Sequence, residues 1–154
     1  MKIKAVRHNN RKRSFEIFLG KRKMEMPYSR LDLRPSPSDA LLSVIPDPEL
    51  GSEAFTYTLA SGRQGTVHVD QVLEYNRDPE YLRQMLLYKL TIAAQRALKR
   101  TKVSKREIIR RMRTSPTQFY RLLDTTNTSK SIDEMVRLLA ALDQTVDLVS
   151  GQAA

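Results

Sequence analysis

Two hydrophobic periodicities divide the chain. Up to about residue 70, apolar side chains recur at every second position, as in a half-buried strand. Phe15, Ile17 and Leu19 fall on one face, with Ser14, Glu16 and Phe18 on the other. Met24, Met26 and Tyr28 repeat the pattern after a turn at Gly20-Lys21. Phe55, Tyr57 and Leu59 alternate with Ala54, Thr56, Thr58 and Ala60, and Val67 and Val69 alternate with Thr66, His68 and Asp70. Ser61-Gly62-Arg63-Gln64-Gly65 between them reads as a hairpin loop. Ile3 and Ala5 predict an opening strand that turns at His8-Asn9-Asn10. An antiparallel sheet of about five strands with one buried face is expected. Pro35, Pro37, Pro46 and Pro48 crowd one stretch, residues 35–52. Closely spaced prolines continue neither a helix nor a central strand, so this stretch reads as a long connection.

From Asp78 the spacing changes to three and four. Asp78 can cap a helix with Pro79 at its first position, where a missing N–H costs nothing. Tyr81, Leu82, Met85, Leu86, Leu90, Ala93, Ala94, Ala97 and Leu98 continue the period to a helix end near Arg100-Thr101. Three later segments begin with a capping-box pattern, in which a serine oxygen accepts the third residue's N–H and that residue's side chain reaches back. These are Ser104–Glu107, Ser115–Gln118 and Ser131–Glu134. Each opens an apolar-periodic run, predicting helices near 104–112, 116–124 and 131–142. Gln144-Thr145-Val146-Asp147-Leu148-Val149 alternates again and predicts a closing strand, paired with the N-terminal sheet or with a second subunit. The expected fold class is α+β. A small antiparallel β-sheet domain occupies 1–77, and a helical domain with a linking helix and closing strand occupies 78–154.

The helices near 104–112 and 116–124 are joined only by Arg113-Thr114-Ser115. So short a turn forces a large crossing angle, the helix-turn-helix arrangement. Ile108, Met112, Phe119 and Leu122 would fill the corner, leaving Thr117, Gln118, Tyr120 and Arg121 on the outer side of the second helix. The run from Lys102 to Leu123 resembles the helix-turn-helix of the Cro and phage-repressor (XRE-type) family. The segment Ser131–Leu142 resembles that family's fourth helix, and the likeness covers about residues 86–149. It implies an all-helical DNA-binding module, a homodimer on a palindromic site, and a place nearest the antitoxin-type regulators. Two positions depart from the family's pattern. Ile109 stands where a small residue is usual, which would widen the helix crossing. Arg113 stands where glycine is usual and is expected to take a left-handed conformation at about 1 kcal/mol. The N-terminal part is loosely similar to small β-rich bacterial domains without assigned chemistry.

Charge sharpens this picture. The 154 residues hold 27 Lys and Arg against 17 Asp and Glu, a formal net charge of +10. Residues 1–34 carry +8, 35–78 carry −5, 79–100 carry +4, 101–124 carry +5 and 125–154 carry −2. One basic block therefore coincides with the helix-turn-helix, which points to duplex DNA. The other has no such motif. Its clusters Arg11-Lys12-Arg13 and Lys21-Arg22-Lys23 sit at predicted hairpin tips, where charge commonly just discourages edge pairing. Backbone contacts to nucleic acid or an acidic protein are the alternatives.

Candidate DNA-binding residues are Lys105, Arg106, Ser115, Thr117, Gln118, Tyr120 and Arg121. A helix fits the major groove, where Gln pairs with adenine and Arg with guanine. Ser115 and Thr117 at the helix start suit phosphate. Gln118 has two equal readings, a base contact or a side chain folded back on Ser115. Arg121 has no capping duty and favours a DNA role. Lys105 and Arg106 oppose the helix dipole of the first turn, and nearby phosphate would offset that. Arg110, Arg111 and Arg113 cannot all face DNA.

Other chemistries find little purchase. With no cysteine, disulfides and thiolate sites are excluded. Two histidines, His8 and His68, make a zinc site improbable, and Asp70, Glu74 and Asp78 lack a nucleophile or ligand set. No enzyme activity, metal or cofactor is expected. No apolar run reaches membrane-spanning length, no membrane association is expected, and the charged start lacks a signal peptide's apolar core, so a cytoplasmic protein is expected. The leading expectation is a sequence-specific DNA-binding transcriptional regulator. The alternative is an antitoxin-type interaction module that binds a partner toxin through the β domain, with autoregulatory DNA binding. RNA binding through the sheet is weaker, since exposed stacking aromatics are lacking.

Overall fold

A computed structural model describes residues 1–152. The chain divides into two compact units, 1–81 and from Leu82 onward.

The first unit is built from six strands in two antiparallel three-stranded sheets. Strands β1 (Ala5–Asn9), β2 (Ser14–Leu19) and β3 (Arg22–Pro27) form one, in that order. Strands β4 (Leu41–Pro46), β5 (Ala54–Leu59) and β6 (Gln64–His68) form the other. The single sheet of about five strands expected from the pattern is therefore corrected to two sheets. The difference arises at β4, which lies inside the proline-rich stretch read as a connection. Only Pro46 belongs to β4, at its last position, where a missing N–H breaks no inner ladder bond.

Both sheets turn alternate residues inward. Phe15, Ile17 and Leu19 meet Phe55, Tyr57 and Leu59 in one buried cluster. Phe15 is its centre, with its ring 4.9 Å from Phe55, 5.1 Å from Tyr28 and 5.5 Å from Tyr57. Gly20 turns β2 into β3 at a φ of 63°, which favours glycine. Helix α1 (Val69–Tyr75) packs on β3 and β6. Val67 and Val69 were expected on one strand, but the chain turns helical at Val69. His68 caps that turn: its Nδ1 accepts from the Asp70 N–H at 3.2 Å, and Gln71 Oε1 accepts from the His68 N–H at 2.8 Å. Imidazole is an uncommon cap acceptor, which hid this start from the sequence pattern.

Helix α2 (Pro79–Arg100) begins as expected, with Asp78 Oδ2 accepting from the Tyr81 N–H at 3.0 Å. The division between the units falls within it. Helices α3 (Lys105–Met112), α4 (Pro116–Leu123) and α5 (Ile132–Ala141) lie close to the ranges predicted. Each starts at a serine whose hydroxyl accepts the third residue's N–H. Leu87, Ala94, Ala97, Ile108, Phe119, Leu122, Met135 and Leu138 are among the residues of one buried core. Residues 144–149 form no strand, contrary to expectation; Leu148 and Val149 are 81% and 93% exposed. Alternation alone does not hold a strand, because its backbone groups need a paired neighbour. No helix among the described residues is long and apolar enough to cross a membrane.

Candidate nucleic-acid interface

Helices α3 and α4 meet at a corner made by Arg113, Thr114 and Ser115. Arg113 sits at φ 53° and ψ 46°, the left-handed region, and its N–H returns to the Arg110 carbonyl at 3.0 Å. This is the conformation expected where the resembled family carries glycine. It stores about 1–2 kcal/mol in a residue with a Cβ. The corner is filled by Ile108 and Phe119, both fully buried, with Leu122 beside them. Met112 and Ile109 are half-buried against the same core.

With about 100° between successive helical residues, Phe119, Leu122 and Leu123 define the inward side of α4. Thr117, Gln118 and Tyr120 then stand outward, and all three are exposed. Helix α4 is anchored at both ends. At its start Ser115 Oγ accepts from the Gln118 N–H at 3.2 Å, and Pro116 takes the first helical position. At its end, carbonyls that no helical N–H can reach are met by side chains. Gln95 Nε2 of α2 donates to the Leu123 carbonyl at 2.7 Å. Lys130 Nζ donates to the carbonyls of Leu122 and Asp124, each at 2.8 Å. Lys130 is only 1% exposed, and burial pushes its ammonium pKa below the usual lysine range, with Asp124 opposing. It went unnoticed in the sequence, where a lysine in a polar loop carries no sign of burial. Its charge sits at the negative end of the α4 dipole, which favours a cation.

The seven candidate residues fall into distinct environments. Gln118 does not fold back on Ser115: its Oε1 accepts from Arg121 Nε at 2.7 Å. Arg121 also forms an ion pair with Glu134, the third residue of α5, and its side chain is 29% exposed. Glu134 completes the one full serine capping box among the described residues, accepting from the Ser131 N–H at 3.0 Å. These contacts hold the Glu134 carboxyl below its ordinary pKa, the Ser131 backbone bond first. Arg121 thus joins α4 to α5 and braces Gln118. Lys105 places its ammonium 5.7 Å from the Tyr120 ring centre, tying the start of α3 to the outer side of α4. Ser115 keeps its hydroxyl proton for a further acceptor, and Thr117 engages no side chain among the described residues.

The remaining arginines sort themselves. Glu107 takes Arg110 at 2.6 Å and Arg111 at 3.4 Å, and the Arg110 guanidinium holds its carboxyl down to about 2. Arg111 also reaches Asp143 at 3.3 Å and the Ala141 carbonyl at 3.0 Å. By contrast Lys102, Arg106 and Arg113 are exposed and form no ion pair among the described residues. Cations without an ion-pair partner among the described residues therefore stand before and at the start of α3 and at the corner, and Lys105 reaches the outward Tyr120 of α4. No group of three or more acidic or histidine side chains among the described residues could hold a metal ion.

The chain matches no protein-family model, no curated protein and no solved structure.

Proposed function

We propose that the chain is a sequence-specific DNA-binding regulator that presents α4 to the major groove as a recognition helix. One observation carries this reading: a short helix, fixed at both ends, turns Thr117, Gln118 and Tyr120 to solvent with Lys105 over the Tyr120 ring, in a unit whose Lys102, Arg106 and Arg113 are exposed and form no ion pair among the described residues. Gln118 keeps both amide hydrogens and one lone pair of Oε1, the set that adenine's N7 and N6 require. Arg121 holds that amide in place and is a positioning residue. Arg106, Arg113 and Lys105 supply phosphate contacts, and a homodimer presents two such helices to two half-sites.

The test is competition binding by the full chain between a selected duplex and random duplex. Gln118→Ala relaxes preference at one base pair, a loss of about 1–3 kcal/mol in discrimination. Arg106→Ala weakens binding to every duplex alike. Duplex binding that survives alanine replacement across 117–121 unchanged sinks this docking.

A second reading, a protein partner for the first unit as in antitoxin-type regulators, has its own observation. Leu42 and Ile45 of β4 are 61% and 60% exposed. In that case Leu42→Glu and Ile45→Glu abolish a stoichiometric protein complex while duplex binding by the same variant persists.

A further inference from the structure

The first unit concentrates positive charge, and part of it is already paired within the unit. Arg22 holds Asp78, Lys23 holds Glu16 at 2.7 Å, and Arg63 holds Asp39 at 2.7 Å. Three of the cations without such a partner come together in one place. Lys12, Arg13 and Arg34 line one concavity of about 340 Å³, together with Pro27, Tyr28 and Ser29. No carboxylate lines it, and none of the three forms an ion pair among the described residues. Glu16, whose carboxyl is lowered chiefly by Lys23 and more weakly by Lys12, is committed to Lys23.

The cations are placed rather than merely near one another. Asn9 Oδ1 accepts from the N–H groups of Arg11 at 3.1 Å and Lys12 at 3.0 Å, closing the β1–β2 turn. That turn puts Arg13 at a φ of 55°, a left-handed conformation that non-glycine residues adopt only when their surroundings impose it. Its carbonyl is fixed by the Tyr28 N–H at 2.9 Å. Arg13 Nη2 donates to the Pro35 carbonyl at 3.3 Å, and Arg34 Nε donates to the Leu31 carbonyl at 3.3 Å. Each guanidinium is thus tethered through one nitrogen and keeps others to donate. With the Lys12 ammonium and the exposed Ser29 hydroxyl, the pocket offers donors of one sign and no competing acceptor charge. Tethered guanidinium groups that spare N–H donors suit a tetrahedral oxyanion.

We propose that this concavity is a phosphate-binding site of the first unit, formed by Lys12, Arg13, Ser29 and Arg34. Its ligand is a phosphate group, supplied by a free phosphate or small phosphoester, or by a nucleic-acid backbone. The site is independent of the α4 reading and survives its failure.

The test is an NMR titration of the full chain at constant ionic strength, with inorganic phosphate in one arm and a short random-sequence duplex in the other. Phosphate is expected to shift the Arg13 and Arg34 side-chain N–H and Ser29 amide resonances saturably, with chloride having no such effect. Arg34→Gln and Lys12→Gln each weaken the phosphate affinity about fivefold. Duplex shifting the same resonances identifies nucleic acid as the source; phosphate acting without duplex identifies a small phosphoester. Shifts that never saturate, that chloride reproduces, or that the two substitutions leave unchanged overturn the site.

Discussion

Lys130 and Thr91 meet in the interior of the helical unit, with Nζ 2.6 Å from Oγ1. Thr91 is fully buried in α2 and its hydroxyl donates to the Leu87 carbonyl at 2.7 Å, leaving the oxygen to accept from lysine. The other two ammonium protons go to the α4 terminus. A buried charge with every proton placed is tolerable, whereas half of such a network is not. Lys130→Met leaves three acceptors without their donor and is expected to destabilise the chain by about 2–4 kcal/mol. Thr91→Val removes one acceptor and costs about 1–2 kcal/mol. Chemical denaturation of both singles and the double checks this. Strict additivity would mean that the two side chains do not interact.

Arg113 gives a prediction in which stability and binding move oppositely. Arg113→Gly relieves the left-handed strain but adds disorder to the unfolded chain, so the net gain is at most about 1 kcal/mol. The same change removes the phosphate contact proposed for Arg113, and on that reading lowers the slope of log affinity against log salt by about 0.9. A melting curve and a salt series on one variant read both. A destabilised Arg113→Gly protein contradicts the strain argument.

In the first unit, Gly65 has no room for a side chain. A Cβ there would lie 2.3 Å from the Tyr57 ring and hydroxyl. Tyr57 cannot easily yield, since its hydroxyl donates to the Leu33 carbonyl at 2.7 Å and its ring is in the core. Gly65→Ala is expected to cost about 1–3 kcal/mol through overpacking. Thermal unfolding decides it, and Gly62→Ala is no substitute control, because its φ of 85° strains any side chain.

Acid should loosen the α3 and α5 starts. Glu107, held by Arg110, and Glu134, held by Ser131 and Arg121, both have carboxyl pKa values lowered in the folded chain. A lowered folded pKa contributes stability above the unfolded value, 4.5, and that contribution disappears as pH falls through the folded one. Carboxyl-detected NMR should find Glu107 still ionised at pH 3, and titrating near 2. A Glu107 midpoint near 4.5 would remove the Arg110 contact from solution.

What the sequence made legible follows from the strength of its local signals. The serine starts of α3, α4 and α5 are written in residue type and spacing, because a cap needs its oxygen at one position. The α3–α4 corner was equally visible in Ile108, Met112, Phe119 and Leu122. β4 was hidden by its neighbouring prolines, and α1 by a histidine cap. The strand expected at 144–149 shows the converse error, since alternation describes a face and not a partner. At the candidate interface, Thr117, Gln118 and Tyr120 were legible as outward positions. The pairing of Arg121 with Glu134 and the burial of Lys130 depend on chain segments distant in sequence, and no local pattern encodes them.

The central claim is that α4 reads duplex DNA. Selection of bound duplexes from a random pool by the full chain tests it most directly. The account predicts enrichment of an inverted repeat whose half-site preference disappears in the Thr117→Ala, Gln118→Ala, Tyr120→Ala triple variant. A pool that shows no enrichment, or the same enriched sequence with the triple variant, would contradict it.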